Sequence, residues 1–208
     1  MNYFLIILML LLAALLGSIP SAYLIGKCQG IDIRQYGSGN MGATNTMRVL
    51  GRRWGFLVLG IDVVKGFAAA WLVFTVLGDW GAVVGGIIAF VTHDWNPWFK
   101  FRPVGKGVAC ALGTALFVIP IPMGIGLIAF VATVVLTRYV SLASIFAGLS
   151  ALGMTFVFPT PLAYKIFIGV AVGFVLLRHK ENMKRLFAGT ETRIEWGKKE
   201  VNKKNKHI

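Results

Sequence analysis

Acidic side chains are scarce in this chain: 8 Asp and Glu stand against 21 Lys and Arg, a formal net charge of +13. That scarcity excludes a carboxylate-rich metal centre. Cysteine is almost absent. Cys28 and Cys110 have no zinc-ligand spacing and cannot build a disulfide framework, so both are expected as reduced thiols. No G-x-S-x-G elbow marks a hydrolase nucleophile, and no G-x-x-x-x-G-K-[ST] run marks a Walker A loop. Few carboxylates beside many cations and amides point to an anionic substrate handled without metal or cofactor.

What fills the chain instead is apolar sequence. Hydrophobic residues make up 57% of it and the mean hydropathy is +0.74, outside the soluble globular range. A bilayer core about 30 Å thick takes roughly 20 apolar residues per helix. Residues 3–24 and 54–77 meet that length, and 142–158 and 162–177 are shorter candidates. The first run lacks a basic leader and a clear cleavage site, so it reads as a retained span rather than a signal peptide.

Residues 54–92 are too long for one span, and Asp79-Trp80-Gly81 offers a turn. Residues 108–137 form either one helix of about 45 Å or two helices broken at Pro120-Ile121-Pro122. Splitting there gathers every Lys and Arg except Lys65 and Lys165 on one side. The positive-inside rule makes that side cytoplasmic. The expected fold is an all-α integral membrane protein of about seven transmembrane helices, N-terminus external and C-terminus cytoplasmic. Residues 1–190 form the polytopic domain, and 191–208 are expected as a disordered basic tail. Basic residues spread over juxtamembrane loops fit membrane lipids as partners, and no nucleic-acid module is present.

Four polar clusters fall on the basic side. The run GSGNMGATNTMR, residues 37–48, reads either as a flexible linker or as an anion cradle. Glycines let successive N–H groups share one concavity, and hydroxyls, amides and a guanidinium add donors for phosphate oxygens. Asp62 and Lys65 lie three residues apart on one helix face; a structural ion pair and a substrate contact are equally open. Gly105, Lys106 and Gly107 open a helix, where N–H groups favour an anion. Just before them, His93 stands at a span end, and Trp95, Trp98, Phe99 and Phe101 read as interfacial anchors. His179 and Asn182, three apart in a continuation of the last span, can line a site mouth together. Lys180, Lys184 and Arg185 read as a snorkelling flank, and Ser141 and Ser144 as a helix cap rather than nucleophiles.

Taken together, these clusters resemble the acyl-phosphate-dependent glycerol-3-phosphate acyltransferases of bacterial membranes, the PlsY type. The likeness runs from Gly17 to Glu191. It is most specific over Gly37 to Asn45 with Arg48 and Gly51, and Asp62, Lys65, His93, Lys106, Ser141, His179 and Asn182 follow in the family's order. The resemblance implies acyl transfer from a fatty acyl phosphate to sn-glycerol 3-phosphate in a bacterial plasma membrane, with the active site on the cytoplasmic side. It implies catalytic roles for Ser38, Lys106, His179 and Asn182, and substrate binding by Gly37, Gly39, Asn40, Asn45, Arg48, His93, Gly105, Gly107 and Ser141. The His-x4-Asp box of the common glycerolipid acyltransferases is missing.

The chain departs from the family where Phe-Lys-Gly-Gly-Lys-Gly usually stands. Here Phe101 to Gly107 is one residue longer, with Pro103 and Val104 in place of a glycine. Proline has no N–H and valine disfavours positive φ, so the loop is not expected to form the same nest. Two other readings fit the residues: a transporter of phosphate or an organophosphate, and a weakly active paralogue.

Overall fold

The structure, a computed structural model, describes residues 2–194. Most of the expected basic tail, 195–208, lies outside the described residues.

The backbone is almost entirely helical. Asn2 caps α1 (Tyr3–Ser18), its Oδ1 accepting from the Leu5 N–H at 3.3 Å. The helix stops before Pro20, which has no N–H to donate, and α2 (Ser21–Cys28) leaves at 45°. Residues 3–24 therefore fall in a bent pair of helices rather than in one unbroken helix. The break frees carbonyls from the helix ladder, and two buried side chains satisfy them. Lys65 Nζ donates to the Ile19 carbonyl at 2.8 Å, and Asn96 Nδ2 donates to the Ser18 carbonyl at 2.7 Å.

After α3 (Ala43–Leu50) comes α4 (Arg52–Asp94), 43 residues interrupted at Gly78, where φ is 61° and ψ −146°. Glycine takes that conformation without steric cost. The expected turn thus exists, one residue before Asp79. Across the break, the Tyr164 hydroxyl donates to Asp79 Oδ1 at 2.6 Å. Two short strands, β1 (Trp95–Asn96) and β2 (Arg102–Pro103), pair antiparallel with Trp95 opposite Pro103.

Helix α5 (Val108–Val118) ends at Ile119 and α6 (Pro120–Thr137) begins at Pro120, a position where the missing N–H costs nothing. The long 108–137 run is split there, as the charge distribution predicts. Helices α7 (Val140–Val157), α8 (Leu162–Arg178) and α9 (Lys180–Phe187) complete the fold. Between α8 and α9 the chain bends by 56°, so the His179 segment does not continue the last span in line. Among the described residues, α4, α6 and α7 are each long and apolar enough to cross a membrane. Helices α1 with α2, and α8 with α9, reach that length as bent pairs.

Apolar burial gives little drive between helices in lipid, so close backbone approach has to supply contact. A Cβ on Gly66 would stand 2.0 Å from the Cys110 carbonyl oxygen, and one on Gly113 would stand 1.9 Å from that of Val63. Helix α4 therefore packs directly on α5. Asp62 and Lys65 pair at 2.8 Å, both almost fully buried, and Asp62 Oδ1 also accepts from Ser21 Oγ at 2.6 Å. With Lys65 on the Ile19 carbonyl, this pair braces α4 against the α1–α2 break. Cys28 is exposed and Cys110 buried, both as free thiols.

Candidate active site

The 37–48 run opens with a tight turn at Gly37-Ser38 and leads into α3. Gly37 and Gly39 have φ of 60° and 72°. A Cβ on Gly37 would lie 2.3 Å from Asn45 Oδ1, so only glycine fits there. Asn45 is buried and spends its amide on the loop itself. Its Oδ1 accepts from the Ser38 N–H at 2.8 Å, and its Nδ2 donates to the carbonyls of Tyr36 and Ile33.

These bonds engage part of the run's backbone within the protein. The N–H groups of Ser38, Gly39 and Met41 all have internal partners: Asn45, the Tyr36 carbonyl and the Val104 carbonyl. The run also presents side chains outward. Ser38 Oγ accepts from Asn40 Nδ2 at 3.3 Å, and Ser38 and Arg48 are exposed. Beside the run, Arg34 forms a two-point pair with Asp32. Its guanidinium lies over the rings of Tyr23 and Phe99, at 5.0 and 4.8 Å. Phe99 is therefore a clamp on this loop rather than a free interfacial anchor, whereas Trp98 and Phe101 are well exposed.

The loop before Lys106 forms the β1–β2 hairpin, turned by Lys100 and Phe101 at positive φ. Val104 then bridges two elements through its backbone: its N–H donates to the Asp94 carbonyl at 2.9 Å and its carbonyl accepts from the Met41 N–H at 2.7 Å. Gly105 is fixed by Asp94 and Arg178, and Gly107, at φ 65°, caps the start of α5.

Lys106 reaches across to α9, where its Nζ donates to Asn182 Oδ1. Asn182 Nδ2 donates to Glu191 Oε1 at 2.6 Å. The same oxygen accepts from Ser141 Oγ at 2.7 Å, and Arg185 Nε binds Oε2 at 2.8 Å. The expected helix-cap role of Ser141 is thus overturned: Tyr139 occupies the N-cap of α7, and Ser141 faces Glu191. Arg185 is no loose flanking cation either. Glu191, placed in the tail by composition, is the hub of this network. Burial pushes its carboxyl up, but the bonds from Asn182, Ser141 and Arg185 outweigh it and hold the group below the usual range.

Burial moves the Lys106 ammonium down to about 8. Glu191 opposes that shift, and Arg185, Arg178 and Arg48 reinforce it. His179 sits beside this network at the α8–α9 bend. Its Nδ1 lies 2.8 Å from the Val175 carbonyl, an acceptor only, so Nδ1 carries the proton and Nε2 is left with its lone pair. Burial first, then the Lys106 charge, lowers the imidazole to about 4. At neutral pH it is uncharged and able to accept a proton.

The fold therefore joins Lys106, His179, Asn182 and Ser141 in one cluster. The Met41–Val104 bond ties that cluster to the run bearing Ser38, Asn40 and Arg48. His93 stands apart: it is buried, with Nδ1 3.8 Å from Asp62 Oδ1, and Nε2 is 3.1 Å from where a Gly105 Cβ would be. Asp94, Arg178, Arg185 and Glu191 escaped the sequence reading as site residues. For Glu191 and Asp94, an acid kept amid so many cations is the signal that could have found them.

Comparisons with known proteins give the chain its family. The family model described as glycerol-3-phosphate acyltransferase matches residues 7–189. The glycerol-3-phosphate acyltransferase of Symbiobacterium thermophilum is 40% identical over 184 residues, covering 88% of this chain and 92% of the relative. That of Geobacillus kaustophilus is 41% identical over 191 residues, covering 91% and 96%. Among solved structures, PlsY (YgiH), an integral membrane glycerol 3-phosphate acyltransferase, superposes in its glycerol 3-phosphate form with a TM-score of 0.86 at 36% identity, over 91% of this chain and 96% of that one. Its lysophosphatidic acid form gives 0.84. By family model, by sequence and by fold, the chain belongs to the glycerol-3-phosphate acyltransferase family.

Proposed function

We propose that this protein transfers a fatty acyl group from an acyl phosphate to the 1-hydroxyl of sn-glycerol 3-phosphate, giving lysophosphatidic acid and phosphate. The observation that carries this reading is the cluster of Lys106, Asn182 and Glu191 with a neutral His179 beside it. An acyl phosphate is already activated, so no protein nucleophile is required. Ser38, Arg48 and Lys106 hold the phosphate of glycerol 3-phosphate, and Asn40 closes over Ser38. Fixing both substrates in register supplies a large part of the rate. His179 Nε2 takes the hydroxyl proton as the new C–O bond forms. Lys106 offsets charge on the carbonyl oxygen and on the phosphate that leaves with the electrons of the broken C–O bond.

The site lies at the cytoplasmic face of a bacterial plasma membrane in a seven-span, N-out topology. Support comes from the basic residues clustered at that end and from the helix breaks at Gly78 and Ile119. On this reading Asn45, Gly37 and Gly39 shape the cradle from behind, and His93 supports Gly105.

Purified protein given palmitoyl phosphate and labelled glycerol 3-phosphate should form labelled lysophosphatidate. None formed by a well-folded sample would overturn the assignment. Equal turnover with acyl-CoA would overturn the donor alone.

A further inference from the structure

Gly105 is gripped on both sides of its backbone by a pair of opposite charges. Its N–H donates to Asp94 Oδ1 at 3.0 Å, and its carbonyl accepts from Arg178 Nη2 at 2.9 Å. The two side chains also meet each other. Arg178 Nε lies 2.6 Å from Asp94 Oδ2, and Nη2 donates to Oδ1 at 3.3 Å. Asp94 is fully buried. The Arg178 guanidinium lies over the Trp95 ring, 5.8 Å from its centre, which fixes its plane.

The places of these residues in the chain give the pair its meaning. Asp94 is the last residue of α4, and Arg178 is the last of α8, immediately before His179. Gly105 immediately precedes Lys106. We propose that the Asp94–Arg178 pair positions the Lys106 loop against His179, a role that rests on the acyl transfer proposed above.

Three physical points support it. A buried ion pair gains little stability over apolar residues of the same volume, so stability alone does not account for its place beside the site. The backbone at Gly105 has no ladder to join, because β2 ends at Pro103 and Gly107 has positive φ; charged side chains supply the partners that regular structure cannot. Finally, the contact suits a planar group: Arg178 Nη2 donates both to Asp94 Oδ1 and to the Gly105 carbonyl, while Nε packs against Oδ2 without hydrogen-bond alignment, a placement that a compact lysine ammonium does not fill. Neither residue is placed in contact with substrate; both act through Lys106.

The test compares Arg178→Lys and the neutral double variant Asp94→Asn/Arg178→Gln with the wild type. The double variant strands no buried charge, so it keeps the comparison usable if the single variant fails to fold. Both are expected to lose at least about tenfold in kcat, a misplacement effect, with melting temperatures in detergent close to wild type. Amide hydrogen exchange over residues 104–107 should rise in both. In a Lys106→Ala background the same changes should cost no more than about twofold further, because residues acting through one group are not additive. A folded variant with kcat within about twofold of wild type, or with unchanged exchange over 104–107, would overturn the role. So would an undiminished loss in the Lys106→Ala background. An inactive wild type would instead sink the acyl-transfer assignment, and the exchange measurement would still read the clamp.

Discussion

The backbone N–H of Met41 donates to the carbonyl of Val104 across 2.7 Å. This bond makes the glycine run and the Lys106 loop one continuous support, although neither is part of a longer sheet. Met41→Pro removes the donor, and Met41→Ala keeps it while losing buried side-chain packing. The lost bond is worth about 1 kcal/mol net. Met41→Pro is therefore expected to raise the KM for glycerol 3-phosphate about fivefold to tenfold, with Met41→Ala staying within about threefold. Equal KM values in steady-state assays of the two variants would assign the effect to packing.

Much of this arrangement was legible beforehand, and the rest was hidden for physical reasons. Hydropathy and charge asymmetry placed the helices and the turns near Gly78 and Pro120, because lipid leaves few alternatives to a satisfied helix backbone. The break at Ile19–Pro20 was missed because an apolar run says nothing about which neighbour supplies the missing donors; here Lys65 and Asn96 do. The 37–48 run announced polar donors but not their direction. The N–H groups of Ser38 and Met41 turn inward, onto Asn45 Oδ1 and the Val104 carbonyl. Glu191 was lost to a compositional boundary, since a basic tail hides an acid whose partners are Ser141, Asn182 and Arg185.

Ser38 and Arg48 are exposed, and His179 is buried with one committed ring nitrogen. On the proposed mechanism the first two hold phosphate and the third moves a proton. Ser38→Ala and Arg48→Ala should chiefly raise the KM for glycerol 3-phosphate. His179→Ala should chiefly lower kcat, by about 100-fold or more for a lost general base. Melting temperatures in detergent should stay near wild type for the Ser38 and Arg48 variants. Near-normal kinetics in any of the three would remove that residue from the site.

Lys106 carries its positive charge below about 8 and loses it above. If that cation holds phosphate and offsets developing charge, kcat/KM falls on the alkaline side with a midpoint near 8. Glu191 is the group that holds the ammonium up against burial and against Arg185, Arg178 and Arg48. Glu191→Gln removes that carboxylate and keeps an amide oxygen for Ser141 and Asn182. The alkaline midpoint should then move to lower pH. A profile that keeps its midpoint in Glu191→Gln would assign the limb to another group.

The Asp62–Lys65 pair is read as a brace for the broken first helix, and its energetics differ from those of a substrate contact. Lys65→Met strands the Asp62 carboxylate and leaves the Ile19 carbonyl without its donor, whereas Asp62→Asn/Lys65→Met leaves no unpaired charge. Breaking a buried pair from one side costs about 3–5 kcal/mol, and neutralising both sides costs far less. The single variant should therefore melt well below wild type in detergent, and the double variant should recover most of the difference. Activity provides the second reading. Because Asp62 faces Ser21, Lys65 and His93 rather than the Lys106 cluster, the double variant should keep its KM for glycerol 3-phosphate within about threefold of wild type, roughly 0.7 kcal/mol. A folded double variant with a KM raised tenfold or more would place the pair in contact with substrate after all.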